Sequence, residues 1–257
     1  MTNLVLTEQQ GQVLIVRINR LDRKNALTHD MYTALGDALT AAEQDSSIRC
    51  VLFTGSNDCF TAGNDLSDFA EGLPEAFEHT PVGRFLILLA SATKPVVAAV
   101  NGPAVGIGTT MLLHCDFVYA GANARFQMPF VNLGLCPEGG SSLLLPTWIG
   151  RARAAELLML GGAFSAEDAD RLGLINRICD PEQTEAEALD TCNRLAAQAP
   201  AAIRATKALL NRPNKETLLD TLKAEGALFS ERLQSPEAAE AFMAFREKRK
   251  PDFTHFD

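Results

Sequence analysis

The 257-residue chain is 47% hydrophobic and 21% charged, proportions of a soluble globular protein with a substantial core rather than of a disordered or fibrous one. A formal net charge of −9 argues against broad nucleic-acid binding, and it means that any anionic ligand must be met by a local basic site. No apolar run approaches the roughly 18 residues that span a bilayer, the first twelve residues carry no basic segment leading into an apolar one, and His255-Phe256-Asp257 is not a peroxisomal address, so a cytoplasmic protein without a membrane partner is expected.

Val13 to Ile18 reads as a strand after the Gly11 turn. Arg17, Arg20, Arg23 and Lys24 cluster around the next turn, either as a solvated loop or as a site for negative charge. Thr28 is a plausible N-cap, and Met31, Leu35, Ala38, Leu39 and Ala42 then mark one face of a helix running to Asp45. Ile48 to Phe53 is a buried-strand run ending in a turn through Thr54–Asp58 and Phe60–Leu66. Residues 67–82, with Gly72, Pro74 and Pro81, are the least regular segment and are expected to form a mobile wall over a pocket. Arg84 to Thr93 reads as a helix.

The stretch from Lys94 to Cys115 organises the rest. Val96 to Val100 is a β-branched strand, Asn101-Gly102-Pro103 stops it, and helical composition resumes at Thr109 after Gly106-Ile107-Gly108. Such a strand–turn–helix start leaves N–H groups free to meet an anion. The glycine spacing fits neither a Walker A loop, which needs a lysine here, nor a dinucleotide fingerprint. Either the turn is simply a tight connection, or it joins the turn after Phe53 in offering N–H donors to one oxygen, as an oxyanion hole requires.

Further on, Phe117 to Ala120 reads as a strand, and Pro129 to Ser142 is a second Gly/Pro loop whose one carboxylate is Glu138. Glu138 is either a base or a cap for a helix over Gly139–Leu145. Helices are predicted over Arg151–Leu160, Glu185–Gln198, Ala201–Leu210, Glu216–Leu233 and Pro236–Arg249, with a capping start at Ser165 and Asp168 and a short strand over Gly173–Ile178. The six cysteines form no C-x-x-C pair and read as reduced core thiols. The four histidines show no metal spacing, and Ser141 lies in no G-x-S-x-G elbow, which removes metal and serine-hydrolase readings.

Ala62-Gly63-Asn64-Asp65, followed by Lys94-Pro95-Val96-Val97-Ala98-Ala99-Val100-Asn101-Gly102-Pro103-Ala104-Val105-Gly106, resembles the enoyl-CoA hydratase/isomerase (crotonase) superfamily. Asn25-Ala26-Leu27, Asp116 to Ala120, Gly173-Leu174-Ile175 and Phe245 to Arg249 follow in the family's order, so the likeness covers nearly the whole chain. It implies an α/β fold, a crotonase-like spiral of ββα units over 1–198, with a C-terminal helical trimerisation subdomain over 199–257 and assembly as a homotrimer or hexamer. It implies an acyl-CoA thioester substrate, with coenzyme A entering as part of the substrate and no separate cofactor or metal. The backbone N–H groups of Asn64 and Ile107 would hold the thioester oxygen. Lys24, Ala26, Leu27, Ala62, Asp65 and Leu66 would bind coenzyme A, with Lys248 and, at the adenine, Phe229.

The hydratase subgroup uses two glutamates, which would fall at Thr110 and Phe130; neither is acidic here. The Pro129–Ser142 segment is instead similar to the monofunctional Δ3,Δ2-enoyl-CoA isomerases, in which one glutamate, here Glu138, moves a proton from C2 to C4. Phe126, Met128, Phe130 and Leu135 are expected to keep that carboxyl dry. Two other readings stay open: another crotonase-fold enzyme acting on a ring-containing or dienoyl thioester, or a non-catalytic acyl-CoA-binding protein.

Overall fold

A computed structural model describes residues 4–56, 58–65 and 76–256. Six strands form the main sheet: β1 (Val5–Gln10), β2 (Val13–Ile18), β3 (Cys50–Thr54), β4 (Val96–Val100), β6 (Phe117–Gly121) and β9 (Arg177–Cys179), in the order β1-β2-β3-β4-β6-β9. The β1–β2 hairpin is antiparallel and every other pairing is parallel. A smaller sheet joins β5 (Pro103–Val105), β7 (Arg125–Gln127) and β8 (Phe164–Ser165).

A parallel sheet is covered on both faces, so its strands are apolar throughout. Every residue of β3 and β4 is buried. Val51, Phe53, Val96, Ala98 and Val100 point to the larger core, under α1 (His29–Gln44) and α2 (Pro81–Ala90). Their neighbours Cys50, Leu52, Val97 and Ala99 point to the other face, against Ala188 and Cys192 of α7 (Thr184–Ala196). Between these lie α3 (Ile107–Thr110), α4 (Ser141–Ile149), α5 (Arg151–Leu160) and α6 (Ala166–Arg171); α8 (Pro200–Asn211), α9 (Lys215–Leu233) and α10 (Pro236–Glu247) close the chain.

Several boundaries move from the sequence reading for local reasons. α2 starts at Pro81 rather than Arg84 because Thr80 caps it, its hydroxyl accepting from the Gly83 N–H at 3.1 Å, with proline in the first turn. The strand expected over Gly173–Ile178 sits at Arg177–Cys179, since the chain leaves α6 through a left-handed Gly173 (φ 73°) before it meets β6. β1, β5, β7 and β8 were not expected; β1 has a single buried residue, and the others are two or three residues long, too short for a pattern. α9 crosses the open end of the larger core and presses Gly226 onto Phe77, where a Cβ would come within 2.2 Å of the ring. Among the described residues no helix is long and apolar enough to cross a membrane.

Candidate active site

The site lies where β3 and β4 end, the side of a parallel sheet at which its turns open. Three backbone segments run side by side there. The Leu27 N–H donates to Gly63 O at 2.8 Å, the Asp65 N–H to Leu27 O at 2.8 Å and the Ala62 N–H to Lys24 O at 2.9 Å. On the other flank, the Thr61 N–H donates to Pro103 O at 3.0 Å and the Val105 N–H to Thr61 O at 3.0 Å. Gly63 is the contact point between the two turns. Its φ is 90°, and a Cβ there would lie 2.8 Å from Val105 O. Asn25, fully buried, locks the assembly: its amide donates to Cys59 O and Phe60 O at 3.0 and 3.1 Å.

This pairing decides where two N–H groups go. Gly63 and Asp65 spend their backbone on Leu27, so Asn64 between them turns its N–H the opposite way. Ile107 opens α3 after a left-handed Gly106 (φ 57°), where a first-turn N–H has no helical partner. Among the described residues neither N–H meets an acceptor. The side chain at Ile107 is accommodated in the core at 1% exposure. The Asn64 side chain accepts a hydrogen bond from the Tyr32 hydroxyl.

Glu138 faces the same cavity as Asn64, together with Leu27, His29, Tyr32, Asp65, Phe77, Val82, Gly226 and Phe229. It is 6% exposed. Burial pushes its carboxyl up to about 8, a hydrogen bond from the Thr110 hydroxyl pulls it down, and the nearby Glu225 carboxylate pushes it up again. The capping alternative does not hold. α4 begins at Ser141 behind a left-handed Gly140 with no local side-chain cap. The acceptor there is Glu225 of α9, which takes the Gly140 N–H at 2.6 Å and the Ser142 N–H at 2.9 Å. Glu138 contributes only its carbonyl, to the Ser141 hydroxyl at 2.6 Å. His114 bonds Gly139 O at 2.7 Å; its buried imidazole is pushed down to about 4 and stays neutral.

The dry wall comes from elements other than those expected. Phe126 and Met128 are buried away from Glu138, Phe126 stacking on Phe164 at 5.5 Å, while Tyr32, Phe77, Val82 and Phe229 supply the apolar surface. Phe229, expected at the adenine, lines this cavity instead and meets Phe130 edge-on at 6.3 Å, because α9 turns it inward. Of the basic cluster, Arg17 is paired with Glu185 at 2.6 Å and Arg20 with Asp65 at 2.5 Å, which leaves Arg23 and Lys24 exposed. Arg20 also donates to the Ala26 carbonyl at 2.9 Å. Lys248 is an exposed left-handed cap at the end of α10 (φ 56°). Leu66 and most of the expected wall at 67–82 lie outside the described residues; Phe77 and Val82, which belong to that wall, do line the cavity. Sequence reasoning missed Tyr32 and Glu225, which sit on predicted helices with nothing in their spacing to mark them.

The enoyl-CoA hydratase/isomerase family model matches residues 8–255. A solved structure of Pseudomonas aeruginosa OdaA is 50% identical, with a TM-score of 0.92 over 95% of this chain and 99% of that one. The 2,3-dehydroadipyl-CoA hydratase of Escherichia coli is 33% identical over 98% of this chain and 99% of its own. The enoyl-CoA delta isomerase 2 of Rattus norvegicus is 35% identical over 96% of this chain and 64% of its own. Hydratase and isomerase relatives are thus similar to this chain to the same degree.

Proposed function

We propose that this chain, which belongs to the enoyl-CoA hydratase/isomerase family, shifts the double bond of a 3-enoyl-CoA thioester to give the trans-2-enoyl product. The observation that carries this reading is Glu138: a buried carboxyl in the cavity beside Asn64, with its proton affinity raised toward working pH. Asp65, the other carboxylate of the cavity, is held by Arg20. The two positions at which the hydratase subgroup would carry glutamates hold Thr110, which donates to Glu138, and Phe130, which packs on Phe229. Neither can activate a water.

In the proposed reaction Glu138 removes a proton from C2. The thioester becomes a dienolate whose oxygen is held by the Asn64 and Ile107 N–H groups. The protonated Glu138 returns the proton at C4, and the double bond settles between C2 and C3. The Thr110 hydroxyl keeps the carboxylate aimed through both transfers. Coenzyme A enters only as part of the substrate, its phosphates met by Lys24 and Lys248, with Ala26, Leu27 and Ala62 as the backbone along which it lies. Assembly into a homotrimer or hexamer would cover exposed apolar side chains such as Leu209 and Leu210 of α8; the mass in solution checks it.

The discriminating experiment supplies 3-hexenoyl-CoA and crotonyl-CoA in parallel. Conjugated enoyl thioester absorbance should appear from the first, and hydration of the second should be negligible. Hydration faster than isomerisation would end this reading. A ring-bearing acyl group is a second candidate, since the cavity wall is aromatic at Tyr32, Phe77 and Phe229 and a relative 35% identical is the 1,2-epoxyphenylacetyl-CoA isomerase of Escherichia coli.

A further inference from the structure

A second carboxylate, Glu225, is buried beside the proton shuttle at 7% exposure and has no part in the reaction drawn above. It comes from α9, eighty-five residues beyond Gly140, yet both its oxygens are spent on the loop that carries Glu138. Oε2 accepts from the Gly140 N–H and Oε1 from the Ser142 N–H, the groups that a local cap would otherwise satisfy. The same stretch of α9 makes the cavity wall: Gly226 follows directly, and Phe229 lies one turn on. One helix face therefore closes the cavity and holds the loop.

We propose that Glu225 is a positioning residue for the shuttle: it clamps the loop bearing Glu138, and its fixed charge sets the pH range in which Glu138 works. The inference rests on the reading of Glu138 as the proton-shuttling base. A simple cap would need only an acceptor. A charge this close and this buried also acts on Glu138 through a low-dielectric interior, and a like charge favours the protonated carboxyl. Burial raises the proton affinity of Glu225 itself, while the Ser142 and Gly140 donors oppose that and favour its ionised form. The other polar and charged groups around the pair are few. Thr110 donates to Glu138 from α3. Neutral His114 bonds Gly139 O, and Tyr32 of α1 bonds Asn64. His29 and the Arg20-bound Asp65 lie farther round the cavity, and Arg232 of α9 pairs with Glu237 at 2.9 Å. All of these remain when Glu225 alone is changed, so a difference between pH profiles reports on Glu225.

The test records kcat and kcat/KM on 3-hexenoyl-CoA against pH for the parent, Glu225→Gln, Glu225→Asp and Glu138→Gln, with unfolding midpoints alongside. Glu225→Gln should lower kcat by about tenfold with KM little changed. Its acid limb should move to lower pH by about half a unit or more, since the like charge is gone. Glu225→Asp keeps the charge, so its limb should stay near the parent's while kcat recovers in part. A Glu225→Gln enzyme with a lowered unfolding midpoint but the parent's kcat and acid limb would make the residue a cap only and overturn the proposal. If Glu225→Gln does not fold, Glu225→Asp decides: a lowered kcat at an unmoved limb supports positioning, and the parent's kcat overturns it. Full activity in Glu138→Gln would instead end the underlying base reading, an outcome distinct from an inactive Glu138→Gln beside a parent-like Glu225→Gln, which ends this inference alone.

Discussion

The two halves of the site are built by different means. The turns around Asn64 and Ile107 are joined backbone to backbone, from Lys24 through Thr61 to Val105, and the side chains matter mainly by being small or absent at Gly63. The Glu138 loop is held by side chains from elsewhere: Thr110 on the carboxylate, His114 on Gly139 and Glu225 on Gly140 and Ser142. A backbone hole tolerates change in most of its side chains, whereas a loop fastened by side chains can be retuned one residue at a time. That division fits a fold in which one oxygen-binding feature serves several reactions and the acid–base group is what differs.

The largest effect should come from the side-chain half. Glu138→Gln preserves shape but cannot accept the C2 proton, so kcat should fall by roughly 10²–10⁴-fold with KM little changed. The stability of this variant sharpens the contrast. Between pH 4.5 and about 8 the unfolded chain has released the Glu138 proton while the folded chain keeps it. Parent stability should therefore fall as pH rises across that window and level off above it. Glutamine does not titrate, so Glu138→Gln should gain on the parent over the same window; chemical unfolding at pH 5 and pH 8.5 measures it. A uniform loss of about 0.5–2 kcal/mol would be the mark of a cap. The parent's kcat/KM should rise with an acid limb near pH 8, since the base must be ionised.

Gly63→Ala strikes the backbone half. A Cβ at φ 90° would sit 2.8 Å from Val105 O and push the two turns apart. A rate loss of roughly tenfold is expected, approaching the roughly 10²–10³-fold cost of a lost oxyanion donor. It should appear without any shift of the acid limb, because the Glu138 surroundings are untouched. A shifted limb would mean that the halves are coupled.

The smallest effect lies outside both. Lys24→Glu with Lys248→Glu should raise KM a few-fold at low salt, with kcat unchanged and the difference shrinking as ionic strength rises. Both lysines are exposed, so screening keeps the contribution modest. A KM equal to the parent's at low salt would remove them from the coenzyme A site.

Much of this molecule is written in local pattern. The apolar runs at Val13–Ile18 and Val96–Val100 coincide with strands, and the amphipathic face from Met31 to Ala42 is a helix face, because burial of a strand or a stripe imposes its period on nearby residues. Gly63, Gly106 and Glu138 were legible for the same reason, lying in turns whose chemistry is set within a few residues. The tertiary structure alone decided what surrounds them. That Arg17 and Arg20 are spent on Glu185 and Asp65, that Phe229 faces Glu138, and that Glu225 rather than Glu138 caps α4 all depend on contacts between residues tens of positions apart. Such contacts follow from how helices pack across the sheet ends, and a residue's neighbours in sequence carry no trace of its neighbours in space.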